Sequence, residues 1–426
     1  MSSEHPTSLL KADQEVKRSF LYLFLTIFVP FGLGHFVSYL FRTVNALIYG
    51  DLTQELHLPA SSLGLLTGVY FLTFAAAQLP LGVLLDRYGP RSVQVPMLIF
   101  AVLGSLIFSS AHSQWGLIIG RGLIGLGVAG SLMSAIKACS IWLPPERLPL
   151  STACLLSVGG LGAMASTTPL HELLKLISWR EAFLILAVLT LCVCAIIHLS
   201  VPRAYTAKNT TLAQMATAVA TLYRSWTFWR LVLYSVFAHA IYMSVLSLWM
   251  GPWLRDVAQL SEASMANTLL WGTVAMVAGS LTFGSITDYL RRFGVQPIMV
   301  CGTGVAVFIG FQVLMISGLA IPPLLIAMGF SFFGTATTMN YAIVAQSVPA
   351  ELAGRVSSSF NLVVFVLAFI LQWLMGALLN LWPATSSGHP MIAYQWSLGT
   401  MIGLQIPGIL LWLTFRPWKR ERPASC

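Results

Sequence analysis

Twelve stretches of the chain are apolar enough to cross a bilayer, because ~20 residues at 1.5 Å each span the ~30 Å hydrocarbon core. They predict helices near 20–48, 60–85, 94–112, 115–143, 149–170, 181–201, 229–252, 265–286, 297–317, 322–345, 356–380 and 391–414. The polar segments between them are short, with one exception at 202–228. That segment separates six helices from six. The pattern therefore predicts an all-α membrane protein of two six-helix bundles, residues 1–201 and 229–426, joined by the linker 202–228. In the linker, Leu212, Met215, Val219, Leu222 and Trp226 fall on one helical face. A helix lying on the membrane surface fits this spacing, and a disordered tether fits it equally.

The first apolar stretch is the most informative. It carries His35, Ser38, Tyr39, Arg42 and Asn45 at helical spacing, so they form one polar stripe. A cation in hydrocarbon costs several kcal/mol and normally faces a bundle interior or a wet cavity. Arg42 is thus the leading candidate for substrate binding. The competing reading is that Arg42 lies near the helix end and snorkels to the interface. The stretch is too long for a signal-peptide core and lacks a small-residue cleavage site, so it is expected to be retained.

Composition narrows the class. With 57% hydrophobic and 9% charged residues and a mean hydropathy of +0.80, a soluble domain is excluded. The net charge of +9 does not signal nucleic acid, because the basic residues sit in short loops where they set topology. Their distribution places both termini in the cytoplasm, with Lys175, Arg180 and Arg255 on the alternate side. The cysteines, Cys139, Cys154, Cys192, Cys194, Cys301 and Cys426, show no metal-ligand spacing and no disulfide framework. No phosphate-binding glycine loop, metal cluster or nucleophile constellation is present. An enzyme is not expected, and neither is a cofactor.

The two halves repeat. Gly82-x-x-x-Asp86-Arg87-x-Gly89-x-Arg91 follows the second helix, and Gly284-x-x-x-Asp288 with Arg291, Arg292 and Gly294 follows the eighth. Pro144-Pro145-Glu146 after the fourth helix recurs as Pro349-Ala350-Glu351 after the tenth. The offsets, 202 and 205 residues, are nearly equal. Such a repeat implies two halves related by an axis along the membrane normal, with a site between them.

The loop from Gly82 to Arg91 resembles the signature loop of the major facilitator superfamily, and Ser178-Trp179-Arg180 at the entry to helix six fits the same pattern. The resemblance implies alternating access between two bundles. Asp86, Arg87, Arg91, Asp288 and Arg291 then become gating candidates. A carboxylate at a helix end would accept hydrogen bonds from the N-terminus of a facing helix in the other bundle, and breaking such contacts makes a bistable gate. Solvated loop charges are the alternative.

Helix four reads Arg121-Gly-Leu-Ile-Gly125-Leu-Gly127-Val-Ala-Gly130, similar to the superfamily's helix-four motif. It implies a structural or coupling role for Arg121, braced against helix one. Lys137 lies near the helix end and is expected to snorkel. Drug/proton antiporters of the superfamily usually carry Gly-Pro in helix five, and 158–169 lacks it.

Ser38-Tyr39-Leu40-Phe41-Arg42 resembles the Tyr-x-x-Arg stretch of organophosphate:phosphate antiporters and related organic-anion symporters. There the Arg binds the substrate's anionic group, a role carried here onto Arg42 alone. The phosphate antiporters have a second Arg in helix seven. The corresponding stretch here, His239 to Trp249 with Tyr242, has none. A monocarboxylate or a zwitterion bearing one is therefore more plausible than a dianionic phosphate ester.

His35 and His239 are equivalent in the repeat, 204 residues apart, and would face each other across the cavity. Every Asp and Glu lies in a loop, a tail or a helix end. Histidine is then the side chain left to carry a proton near neutral pH, against the plainer reading of two hydrogen-bonded interior imidazoles. Further lining candidates are Tyr70, Gln78, Trp249, Thr338, Asn340, Tyr341, Asn361 and Gln372. Polar residues of this kind also serve as interhelical glue.

The resulting expectation is a bacterial-type inner-membrane secondary transporter of a small organic anion, coupled to protons. Its partners would be the solute, protons and membrane lipids, with no nucleic acid, and it would be monomeric. The alternatives are a proton-driven exporter of amphipathic compounds and a transporter-like sensor. A buried carboxylate would favour the first, and a large cytoplasmic extension the second. Neither is visible in the sequence.

Overall fold

A computed structural model describes residues 22–144, 147–203, 217, 220–347, 350–385 and 388–414; the side chains of Leu79, Pro149 and 350–355 are outside the description. The linker face built on Leu212, Met215 and Val219 lies outside the described residues, as do Pro145 and Glu146 and the side chain of Glu351. In the described remainder of the linker, residues 220–224 are helical.

The described chain is helical nearly throughout. Among the described residues, eleven helices are long and apolar enough to cross a membrane. α1 runs over Phe24–Thr43 and continues as Asn45–Leu56. α2 and α3 are the two arms of Ala60–Ser110, separated at Gly89, whose φ of 77° favours glycine. The rest of the first half is α4, Gln114–Trp142; α5, Leu150–Leu174; and α6, Trp179–Ser200. The second half holds α7, Trp226–Asp256; α8, Glu262–Arg291; and α9, Pro297–Ile316. It ends with α11, Ala350–Leu379, and α12, Met391–Leu413. α10 is cut in the middle: Pro323–Gly334, a 3₁₀ turn over Thr335–Met339, then Asn340–Gln346. A sequence window sees one apolar run there, because a local change of winding leaves hydropathy untouched.

Local chemistry sets the helix ends. Ser178 accepts from the Glu181 amide while the Glu181 carboxylate takes the Ser178 amide, a reciprocal cap at the start of α6. Ser113 and Ser261 cap α4 and α8 one way only, accepting the Gly116 and Ser264 amides. α1 outlasts its expected end at 48 by two turns and stops at His57, in the left-handed region at φ 50°. α7 contains a π-helical turn, Val245–Trp249, a form that often marks functional positions.

Helices 1–6 and 7–12 form two bundles, and α1 and α12 place their outer ends on one face, here called the terminal face. On the opposite, far face the bundles touch backbone to backbone. A Cβ on Gly64 of α2 would stand 2.5 Å from the Gln372 carbonyl oxygen of α11, and one on Gly376 would strike Ala60. Glycine is needed at both places because the two helices share that space. At mid-depth, Phe74 of α2 and Phe365 of α11 stack with centroids 4.4 Å apart. On the terminal face, among the described residues, Asp86, Arg87, Arg91, Asp288 and Arg291 make no ion pair or hydrogen bond to the opposite bundle.

Candidate functional site

Arg42 is buried between the two bundles, among residues of both, rather than exposed at the end of its helix. It is 8% exposed. Its guanidinium packs over Tyr39 at 4.5 Å, Phe74 at 5.4 Å and Phe365 at 5.5 Å. Nη1 points to the Met243 sulfur at 3.9 Å, and Nε has no partner among the described residues. Two of these neighbours come from each bundle. Aromatic faces stabilise a desolvated cation; its polar neighbours are the Met243 sulfur and the Tyr70 hydroxyl, neither of them charged. No carboxylate pairs with it among the described residues. His35, Tyr70, His239 and Tyr341 lie within its electrostatic reach.

His35 is buried one turn from Tyr39, their rings edge to face at 5.0 Å, and neither ring nitrogen has a partner among the described residues. It packs on Gly159 of α5. His239 is tied instead to Thr337, Nδ1 to Oγ1 at 2.7 Å, in the 3₁₀ turn of α10. Its ring lies 5.7 Å from that of Tyr341, whose hydroxyl donates to Asn361 at 2.6 Å. The imidazoles therefore approach Arg42 from opposite bundles, one unpaired and one held.

The remaining polar candidates divide. Asn45 donates to Thr67 at 2.9 Å, joining α1 to α2. Asn340 accepts from the Tyr234 hydroxyl at 2.7 Å inside the second bundle. The Tyr242 hydroxyl is buried without a partner among the described residues, as are both side-chain polar atoms of Gln372. Trp249 packs on Tyr49 and donates to the Gln372 carbonyl at 3.3 Å, within the far-face seam. Gln78 bonds back to its own helix, and Thr338 does the same.

Arg121 is fully buried with all three guanidinium nitrogens unpartnered among the described residues. Its guanidinium lies over the Tyr70 ring at 4.9 Å, so the ring contact that holds it comes from α2, not α1. Tyr70 in turn donates to the Ser38 carbonyl at 3.3 Å. Tyr70 is thus a shared wall between α1 and Arg121.

At the terminal face, Asp86 pairs with Lys137 at 2.7 Å within its own bundle, and Lys137 is an ion-pair partner, not merely a snorkelling cation. Arg91 donates to the Val201 carbonyl at 2.8 Å, and Arg87 stacks on Tyr88. Asp288 and Arg291 are exposed. If Asp86 belongs to the gate, Asp86→Asn is expected to slow transport about tenfold, because Lys137 loses its ion-pair partner. Asp288→Asn is expected to do less, since it breaks no pair among the described residues. Neither change should alter which solute is carried. Cysteine labelling on both faces checks this: unchanged accessibility in Asp86→Asn removes it from the gate.

One network was not anticipated. Asp256, at the far-face end of α7, has a fully buried side chain. It accepts from Arg255 Nε at 2.8 Å, the Tyr394 hydroxyl at 2.8 Å and the His389 amide at 3.1 Å. Arg255 then reaches across the seam to stack on Tyr49 at 4.9 Å. A cavity of about 760 Å³ opens beside it, lined by Tyr49, Gln54, Arg255, Asn380, Trp382 and His389 among others. The adjacent Arg255-Asp256 pair at the end of an apolar run was the available signal.

The comparisons with known proteins agree with this architecture. The Major Facilitator Superfamily pattern matches residues 31–372. A probable sulfoacetate transporter of Cupriavidus necator is 24% identical over 159 residues, so the match takes in only 37% of either chain. A probable L-galactonate transporter of Escherichia coli is 22% identical over 389 residues, 85% of this chain and 84% of that one. Among solved structures, a bacterial homologue of the human lysosomal transporter Spinster, inward-facing and unoccupied, superposes with a TM-score of 0.72 at 16% identity. That superposition covers 90% of this chain and 95% of the other. With the family pattern spread over most of the chain and eleven membrane-length apolar helices among the described residues, the protein is a membrane transporter of the Major Facilitator Superfamily and not an enzyme.

Proposed function

We propose that the protein carries a small organic anion, anchored by Arg42, across a bacterial inner membrane by alternating access, with both termini cytoplasmic. The observation that carries this reading is the guanidinium of Arg42, desolvated between the bundles, ringed by aromatics and without a carboxylate among the described residues. A buried cation without a counter-charge is costly, and a carboxylate or sulfonate arriving from solution would supply one together with charge-assisted hydrogen bonds. Two of the relatives are probable transporters of organic anions, sulfoacetate for one and L-galactonate for the other, which is consistent with such a solute. The stretch of α7 from His239 to Trp249 holds no second arginine, which favours a single anionic group at this position.

Proton coupling would run through His35. It lies two turns from Arg42, ~10.5 Å along the helix, with both ring nitrogens unpartnered among the described residues. An anion at Arg42 would relieve the repulsion between the guanidinium and an imidazolium, so anion and proton would bind together. His239, already bonded to Thr337, is the lesser contributor.

The test is a thermal-shift screen of the purified full-length protein against sulfoacetate, L-galactonate, simple monocarboxylates, neutral sugars and organic cations. Only ligands that prefer the folded state raise the melting temperature. Stabilisation by anions alone is expected, growing about tenfold in affinity between pH 8 and pH 6, the range that spans the reference His pKa. The His35→Gln, His239→Gln double variant should flatten that dependence. Stabilisation by cations or neutral sugars, with none by anions, would overturn the anion reading. An unaltered pH profile in the double variant would overturn the coupling alone.

A further inference from the structure

The far-face seam holds a helix cap that crosses from one bundle to the other. α2 starts at Ala60, and its N-cap residue is Pro59, which offers no side-chain acceptor to the first turn. The first amides of a helix have no partner within the helix. The Ala60 amide donates to Asn380 Oδ1 at 3.0 Å, and Asn380 Nδ2 donates to Ser61 Oγ at 2.6 Å. Asn380 directly follows α11, which ends at Leu379. The first half of the chain thus begins α2 with a cap that the second half supplies.

We propose that Asn380 is a positioning residue for alternating access: a cap in trans that exists only while the far face is closed and so weights the equilibrium toward that state. The reasoning is differential. A cap supplied from within one bundle persists in both conformations and shifts nothing, whereas a contact made in only one conformation biases the balance by its full value. Opening the far face parts α2 from α11. That leaves the Ala60 amide to water and lets the Asn380 side chain regain its rotamers. The backbone contact at Gly64 and Gly376 makes the cap possible, since any side chain there would hold the helices apart. The terminal face differs, for its carboxylate Asp86 is held inside its own bundle by Lys137. The inference does not depend on which solute is carried.

Spin-label distances in lipid-reconstituted, full-length protein test this, in a background whose native cysteines are replaced. One label pair reports the far face, Trp115→Cys with Leu319→Cys. A second pair reports the terminal face, Ser140→Cys with Gln346→Cys. All but Leu319 lie on α4 or α10, and Leu319 lies in the connection before α10. In Asn380→Ala the ratio of short to long far-face distances is expected to fall about fivefold, the shift that one N-cap typically produces, while the terminal-face pair moves closer. Asn380→Asp keeps the acceptor and adds a charge that suits a helix N-terminus, so it should retain the wild-type distribution. Asn380→Ser, too short to reach Ala60, carries the same expectation as alanine and serves if alanine does not fold. Unchanged distances in the alanine or serine variant overturn the proposal. Equal displacement in the aspartate and alanine variants overturns it too, since that marks Asn380 as packing alone.

Discussion

Replacing Arg42 by alanine is expected to abolish anion-dependent stabilisation and transport while leaving the protein folded in the membrane. The guanidinium packs against Tyr39, Phe74, Met243 and Phe365, drawn from α1, α2, α7 and α11, so an anion there is gripped from both bundles at once. Losing a pair of charge-assisted hydrogen bonds in a desolvated site costs about 3 kcal/mol, a factor of roughly 100 in affinity. Stability without ligand should not fall, because the substitution also removes the cost of a buried cation without a counter-charge among the described residues. Arg42→Lys should recover little. Its ammonium is more strongly hydrated, lacks the planar fork that matches a carboxylate, and stacks less well on the surrounding rings. Titration of the anion that stabilises the wild type, followed by uptake into proteoliposomes, decides the matter. Wild-type binding and uptake in the alanine variant would remove Arg42 from the site.

Gly64→Val is expected to stop turnover by a different route. The added Cβ would stand 2.5 Å from the Gln372 oxygen and 3.2 Å from the Trp373 Cα, both backbone atoms of the opposite bundle. Backbone does not step aside as a side-chain tip does, so the bundles must part at the far face. Overpacking of this kind costs about 1–3 kcal/mol, enough to depopulate the far-face-closed state by roughly 5- to 150-fold. A transporter that must pass through that state slows in proportion. The same substitution at Gly403 of α12, where a Cβ meets nothing within 4 Å, should be nearly silent. Far-face label distances and uptake rates would be measured together. Normal uptake in Gly64→Val would show that the close contact is not required in the cycle.

The two substitutions differ in how legible they were. Arg42 stood out in the sequence because a cation inside an apolar run is a local anomaly, visible against its neighbours. Gly64 did not. A glycine in a membrane helix is common, and what it meets lies some three hundred residues away on α11. Asn380 is the same case: its partners, Ala60 and Ser61, are 320 and 319 residues distant. Asp256 read as an ordinary helix-end carboxylate. Its burial depends on Tyr394 and His389, which a reading along one helix cannot bring to it.

Hydropathy, the repeat offset and the loop around Asp86 together determined the class: a helical membrane protein of two related bundles, with Arg42 inside the first helix. These properties are local or periodic along the chain, and the bilayer enforces them residue by residue, since every backbone group there must be satisfied within a helix. What only the tertiary structure decided is who touches whom between the bundles. Asp86 pairs with Lys137 rather than with the other bundle, Arg121 stacks on Tyr70, His239 is tied to Thr337 while His35 is not, and the far face is the closed one. Such choices depend on contacts between distant segments and on the conformation adopted. The alternating states of a transporter share one sequence and differ by only a few kcal/mol, so the chain encodes both, and the packing at Gly64, Gly376 and Asn380 selects the one observed.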